Sequence, residues 1–121
     1  MVSEKADQFT VQHAQQSYYE ALLESGVRLF RYPAPEVMHA KFMVVDDEVV
    51  VLGSSNMDMR SFSLNLEVTL MIVDEERVRE VTEVFSRYMQ GASELDSEVW
   101  RNRPWRVRYL DNVFRLTSAL Q

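Results

Sequence analysis

His39 and Lys41 stand two apart, Asp46 follows after four more residues, and Gly53-Ser54-Ser55-Asn56 after another six. On a strand, alternate side chains share a face, so His39 and Lys41 point the same way about 7 Å apart. Histidine beside lysine suits an anionic substrate. The ammonium attracts and holds a phosphate, while a neutral imidazole attacks phosphorus or shuttles a proton. Gly53 lets the backbone approach a ligand closely, and Ser54 and Asn56 supply donors for non-bridging oxygens. Asn65 and Glu67 are again two apart on a predicted strand. A Glu67 carboxylate bonded to the far nitrogen of His39 would fix its tautomer and stabilise the charged ring.

Each of these residues also has a plainer role. A single histidine on an apolar strand is commonly structural, and His-x-Lys arises often by chance. Asp46 lies in Asp46-Asp47-Glu48, good turn chemistry between two strands, and its odd separation from His39 puts it on the other strand face. Met57 and Met59 read as core filler. His13, on a predicted helix, reads as a surface residue. The conjunction of residue types at fixed spacing is what favours chemistry.

The elements that must hold these residues follow from periodicity. Phe9 to Ser25 predicts one amphipathic helix, capped by Gly26. Val27 to Tyr32 predicts a short strand, and Pro33 and Pro35 set a loop. His39 to Val45 and Val49 to Leu52 predict a hairpin whose second strand is buried on both faces. A polar loop covers Ser54 to Ser63, and Leu66 to Val73 is the next strand. Asp74 is the expected N-cap of a helix carrying Val78, Val81, Phe85, Tyr88 and Met89 and stopping at Gly91. Ala92 to Asn102 is polar with one short helix. Pro104 opens a last helix anchored by Trp105, Val113, Phe114 and Leu120. The class is α/β with a mixed sheet flanked by helices in a single domain, residues 1–121. Because the chain runs almost at once into a helix, few strands remain for a sheet. The expectation is a truncated amino end, or a second copy that completes the sheet.

The 121 residues are 46% apolar with no cysteine, which excludes a mainly disordered chain, a disulfide scaffold and a cysteine zinc site. No apolar run is long enough to span a bilayer, so the chain is expected to be soluble as given. The net charge is −6. Residues 101–121 carry five arginines (101, 103, 106, 108 and 115) against Asp111 alone, so the rest of the chain is strongly acidic. An acidic body disfavours sequence-independent binding to nucleic acid. The arginines either meet an anionic membrane surface or pair with acidic helices of the same domain.

At positions 39 to 56 the chain resembles the phospholipase D superfamily, whose signature is His-x-Lys, four residues, Asp, six residues, Gly-Ser-x-Asn. Gln16-Ser17-Tyr18-Tyr19, Leu22 to Val27, and Met57-Asp58-Met59-Arg60-Ser61-Phe62-Ser63-Leu64-Asn65-Leu66-Glu67 resemble its bacterial cardiolipin synthase branch. The resemblance covers nearly the whole chain. It implies a phospholipase D-like half-domain and a metal-independent phosphatidyl transferase without a cofactor. One motif histidine carries the phosphatidyl group as phosphohistidine. The other protonates the leaving alcohol and then deprotonates the acceptor. Two phosphatidylglycerols would give cardiolipin and glycerol, in a parent enzyme at the cell membrane. His39 would be nucleophile or general acid/base, Lys41 and Asn56 would hold phosphate with help from Ser54, Glu67 would orient His39, and Asp46 would act structurally.

The family places two such motifs face to face, whereas His13 is followed by Ala14-Gln15 and forms no second copy. The resemblance therefore implies the carboxyl-terminal half of a two-motif enzyme, a layout in which the amino-terminal motif usually supplies the nucleophile, which favours the acid/base role for His39. Its implied partners are phosphatidylglycerol and either a missing amino-terminal half or a second copy of the chain, with no nucleic acid. Two other readings compete. One is a homodimeric phosphodiesterase or nuclease of the same superfamily. The other is a catalytically silent half-domain that acts as an assembly or membrane-surface module through Arg101 to Arg115.

Overall fold

The computed structural model describes residues 1–5, 9–56 and 58–116. The α/β class holds, but the strands are shared between two three-stranded sheets rather than one, in two compact units. One unit comprises Met1–Met38 with the segment from Ala92 onward; the other is His39–Gly91.

The first unit opens with a strand that the sequence pattern does not announce. β1 (Val2–Ser3) runs parallel to β2 (Phe30–Tyr32), which pairs on its other side with antiparallel β6 (Ser93–Glu94). Strands of two residues are too short to carry a period. The predicted first helix is divided into α1 (Phe9–Gln16) and α2 (Tyr19–Glu24). The break has a local cause: the Ser17 hydroxyl donates to the Ala14 carbonyl at 2.6 Å, and Tyr18 N–H turns back to Gln15 rather than Ala14. Gly26, at φ +85°, ends α2, with Val27 N–H bonded to Leu22 and Gly26 N–H to Leu23. That double bond pattern requires a left-handed residue, and glycine adopts it without strain.

Asp96 caps α5 (Ser97–Arg101) by accepting from the Glu98 and Val99 amides. α6 (Trp105–Arg115) follows Pro104. Tyr19, Leu29, Leu95 and Trp100 form the core of this unit, with Val2 and Leu23 against it. Burial pushes the Tyr19 phenol well above its ordinary range, with Arg31 and Arg103 acting weakly in the opposite sense. Trp105, expected as an anchor, is 71% exposed and lies beside Arg106. Phe114 does anchor α6, meeting Phe9 edge-on at 5.6 Å. Met57 and Leu120 lie outside the described residues.

The second unit is a hairpin, a third strand and a long helix. β3 (Phe42–Val45) and β4 (Val49–Gly53) pair antiparallel, and β5 (Thr69–Ile72) extends the sheet beyond β4. Asp46 and Asp47 have φ of 52° and 57°, and Glu48 N–H closes the turn on Val45 at 3.0 Å. Two successive left-handed residues match the right-handed twist of a hairpin, and aspartate tolerates that conformation. Asp74 caps α4 (Glu75–Gly91), its carboxylate accepting from Arg77 N–H at 3.1 Å.

Phe42 meets Phe85 and Tyr88 of α4 at ring-centre separations of 6.0 and 6.4 Å, which defines the covered face of the sheet. Val50, opposite Val44, is fully buried on that face. The expectation that β4 is buried on both faces is met only there. The alternate residues Met43 and Val45 of β3 are exposed, and Val49 and Val51 are half-buried, because α4 covers one side only.

Candidate functional site

His39, Lys41, Ser54, Asn56 and Glu67 all belong to the second unit. The strand predicted from His39 begins three residues later, at Phe42, but Gly53 N–H still bonds the Lys41 carbonyl at 3.0 Å. His39 and Lys41 thus sit on the extended lead into β3, beside the end of β4. Lys41 Nζ donates to the His39 carbonyl at 3.0 Å and lies 3.2 and 3.4 Å from the two ring nitrogens of His39. Both residues line a concave surface whose other walls are Leu52 and Gly53 and, from α4, Val81, Val84 and Tyr88. A cation and an imidazole on an open surface, beside apolar walls, can receive a phosphate that carries an apolar group.

Gly53 does a different job from the one its position suggests. A Cβ there would lie 2.2 Å from the Val68 carbonyl oxygen, so what needs the space is the backbone leading into β5. The close approach lets Ser54 N–H bond Val68 O at 3.0 Å. It also brings the Ser54 hydroxyl to the Glu67 carboxylate, 2.5 Å away, while the same hydroxyl accepts from Val68 N–H at 3.0 Å. Ser54 therefore already has protein partners for both its amide and its hydroxyl. Asn65 Nδ2 is a further donor to Glu67, at 3.3 Å. These bonds, led by that of Ser54, hold the Glu67 carboxyl below its ordinary value, and the charge of Lys41 adds to them. Glu67 is thus kept ionised near Lys41, but the expected bond to the far nitrogen of His39 is not found among the described residues: the Glu67 carboxylate is taken by Ser54 and Asn65, and both His39 ring nitrogens face Lys41 Nζ.

Asn56 is exposed, with its side-chain amide unbonded to the described residues, and its backbone N–H donates to the Ser61 hydroxyl at 3.2 Å. Ser61 is 6% exposed on α3 (Met59–Ser63), a helix inside the segment predicted as a loop. Sequence reasoning passed over it. The available signal was Asp58, an N-capping type three residues before it, which accepts Ser61 N–H at 2.7 Å. Asp46 stands apart, in the hairpin turn at the far end of β3, in keeping with a structural effect.

His13 is a correction to the sequence reading. Rather than a surface residue, it is half-buried, with Nδ1 2.6 Å from Asp111 Oδ1 and its ring stacked on Phe114. Asp111 is 2% exposed and also pairs with Arg103 at 3.0 Å. Desolvation lowers the Arg103 guanidinium from its ordinary value, and Asp111 works against that shift. Among the carboxyl-terminal arginines, Arg108 pairs with Glu20 at 3.0 Å, and Arg115 lies over the Tyr18 ring. The internal-pairing alternative accounts for these side chains. No three His, Asp or Glu residues converge as a metal site among the described residues, and no helix there is long and apolar enough to cross a membrane.

The sequence model described as cardiolipin synthase, PLD-like domain, matches residues 1–89. The chain is similar to the cardiolipin synthases of Halalkalibacterium halodurans and Geobacillus kaustophilus, 37% identical to each over 120 residues. It is 32% identical to cardiolipin synthase 2 of Bacillus cereus, also over 120 residues. These matches cover 99% of the chain but only 23–24% of each relative, so the chain spans about a quarter of their length. No solved structure matches.

Proposed function

The chain belongs to the PLD-like domain family of cardiolipin synthases, and from that premise we propose that it forms one half of a phosphatidyl-transfer site in a longer enzyme. What carries the reading is the pairing of Lys41 with His39 on an open surface bounded by Leu52, Val81, Val84 and Tyr88. In this reading the Lys41 ammonium neutralises the phosphate oxygens of a phosphatidylglycerol, and the Asn56 amide donates to one of them. The histidine of a second motif, from another segment or another copy, attacks phosphorus and forms phosphohistidine. His39 gives its ring proton to the departing glycerol oxygen. The now neutral imidazole then takes the hydroxyl proton of a second phosphatidylglycerol, whose oxygen attacks the phosphohistidine, giving cardiolipin and restoring both histidines. Glu67, ionised beside Lys41, is the carboxylate that orients the histidine–lysine pair in this reading.

The test is lipid transfer from labelled phosphatidylglycerol by a longer protein that carries both motifs. His39→Ala is expected to lower the rate at least about 100-fold. Wild-type transfer by that variant would overturn the reading. The present chain, with one motif, is expected to be inactive as a monomer.

A further inference from the structure

Ser54 follows the glycine that closes β4, and it meets Val68 twice. Gly53 stands opposite Thr69, so the same register puts Ser54 opposite Val68. Antiparallel residues in a hydrogen-bonded pair exchange two backbone bonds. Ser54 N–H gives the first of them, to the Val68 carbonyl at 3.0 Å, but the returning Val68 N–H goes to the Ser54 hydroxyl, also at 3.0 Å. A side chain thus completes the last rung of the sheet. A hydroxyl has one proton to give and lone pairs to accept with. With the Val68 amide on its oxygen, Ser54 gives that proton to Glu67 Oε2, 2.5 Å away. One hydroxyl thereby fixes the backbone of Val68 and the carboxylate of the residue before it. The other carboxylate oxygen, Oε1, takes Asn65 Nδ2 at the longer distance of 3.3 Å. Both donors of Ser54, amide and hydroxyl, are committed, so a phosphate oxygen could gain one only at the expense of Val68 or Glu67.

We propose that Ser54 is a positioning residue, whose hydroxyl, anchored on Val68 at the end of the sheet, fixes the Glu67 carboxylate in place. The inference rests on reading Glu67, His39 and Lys41 as site residues, and it moves Ser54 from helping to bind phosphate to holding the carboxylate. Gly53 makes the arrangement possible, because a Cβ there would lie 2.2 Å from the Val68 carbonyl oxygen and keep the two strand ends apart. Without the hydroxyl, Val68 N–H loses its partner and Glu67 keeps the longer bond from Asn65.

The experiment is NMR on this chain without lipid, following the Glu67 side-chain carboxyl through a pH titration and the Val68 amide by hydrogen exchange. In Ser54→Ala the Glu67 midpoint is expected to move up towards the ordinary carboxyl value, and Val68 to exchange about fivefold faster, as loss of one hydrogen bond implies. The Val50 amide, in the middle of the sheet, should keep its wild-type exchange and so report that the variant is folded. Ser54→Thr, which retains the hydroxyl, should keep both signals at their wild-type values. Should the alanine chain fail to fold, Ser54→Cys offers only a weak donor in a similar volume and should move the same two signals. Either signal staying at its wild-type value in a folded Ala or Cys variant would overturn the proposal. Because neither signal involves lipid, the proposal can fail while the transferase reading stands, and the reverse.

Discussion

The two units use polar side chains in opposite ways. In the first, Asp111 lies at 2% exposure between His13 and Arg103, next to a core of Tyr19, Leu29, Leu95 and Trp100. The buried carboxylate is paired, and the rings of the core are packed together. In the second, His39, Lys41, Asn56 and Glu67 sit at or near the surface, and among the described residues only Val50 and Val78 are fully buried apolar side chains. Buried charge demands complete pairing, because an unpaired ion in a low dielectric is costly, whereas a group that must meet a substrate has to keep some capacity open. Chemistry-bearing residues therefore mark a site when they remain accessible after packing, and a structural cluster when packing consumes them.

Breaking the first unit's cluster should have the largest effect. Asp111→Ala leaves Arg103 and His13 without their carboxylate and should cost about 3 kcal/mol. Both tryptophans, Trp100 and Trp105, belong to this unit, so thermal unfolding followed by tryptophan emission reads it directly. An unchanged midpoint would show that the pairing contributes little.

A smaller loss, roughly 2 kcal/mol, is expected from Gly53→Ala in the second unit, where the added methyl meets a backbone carbonyl that cannot swing aside. Faster exchange of the Ser54 amide, bonded to Val68, would report the loosened junction. The smallest effect sharpens the contrast through pH. Glu67 is held below its ordinary 4.5 in the folded chain, so its bonds stabilise the fold above that value, and this contribution disappears as pH falls through the folded midpoint. Glu67→Gln should flatten the acid side of the second unit's stability profile, read from the Val50 amide, while tryptophan emission keeps its wild-type acid response.

Much of the candidate site is legible in the sequence. The spacing from His39 to Asn56 singles out the residues proposed for the chemistry, and Asp46-Asp47-Glu48 announces the turn that closes the hairpin. Asp74 and Gly26 marked helix ends where the structure puts them. Local signals of this kind survive because a turn or a cap is decided within a few residues. The misreadings share one cause. The sequence pattern runs one helix from Phe9 to Ser25, makes Trp105 a core anchor and makes His13 a surface group, because periodicity describes one element and says nothing of its neighbour.

The sequence by itself determined which groups could do chemistry, where the chain turns and which family it joins. Only the tertiary structure decided their partners. It joined the Ser54 hydroxyl to Glu67, turned Ser61 inward beneath Asn56, and brought His13 to Asp111 across 98 positions of chain. The reason is physical: hydrogen bonds and ion pairs act over about 3 Å, and which distant groups come that close is set by packing rather than by spacing along the chain.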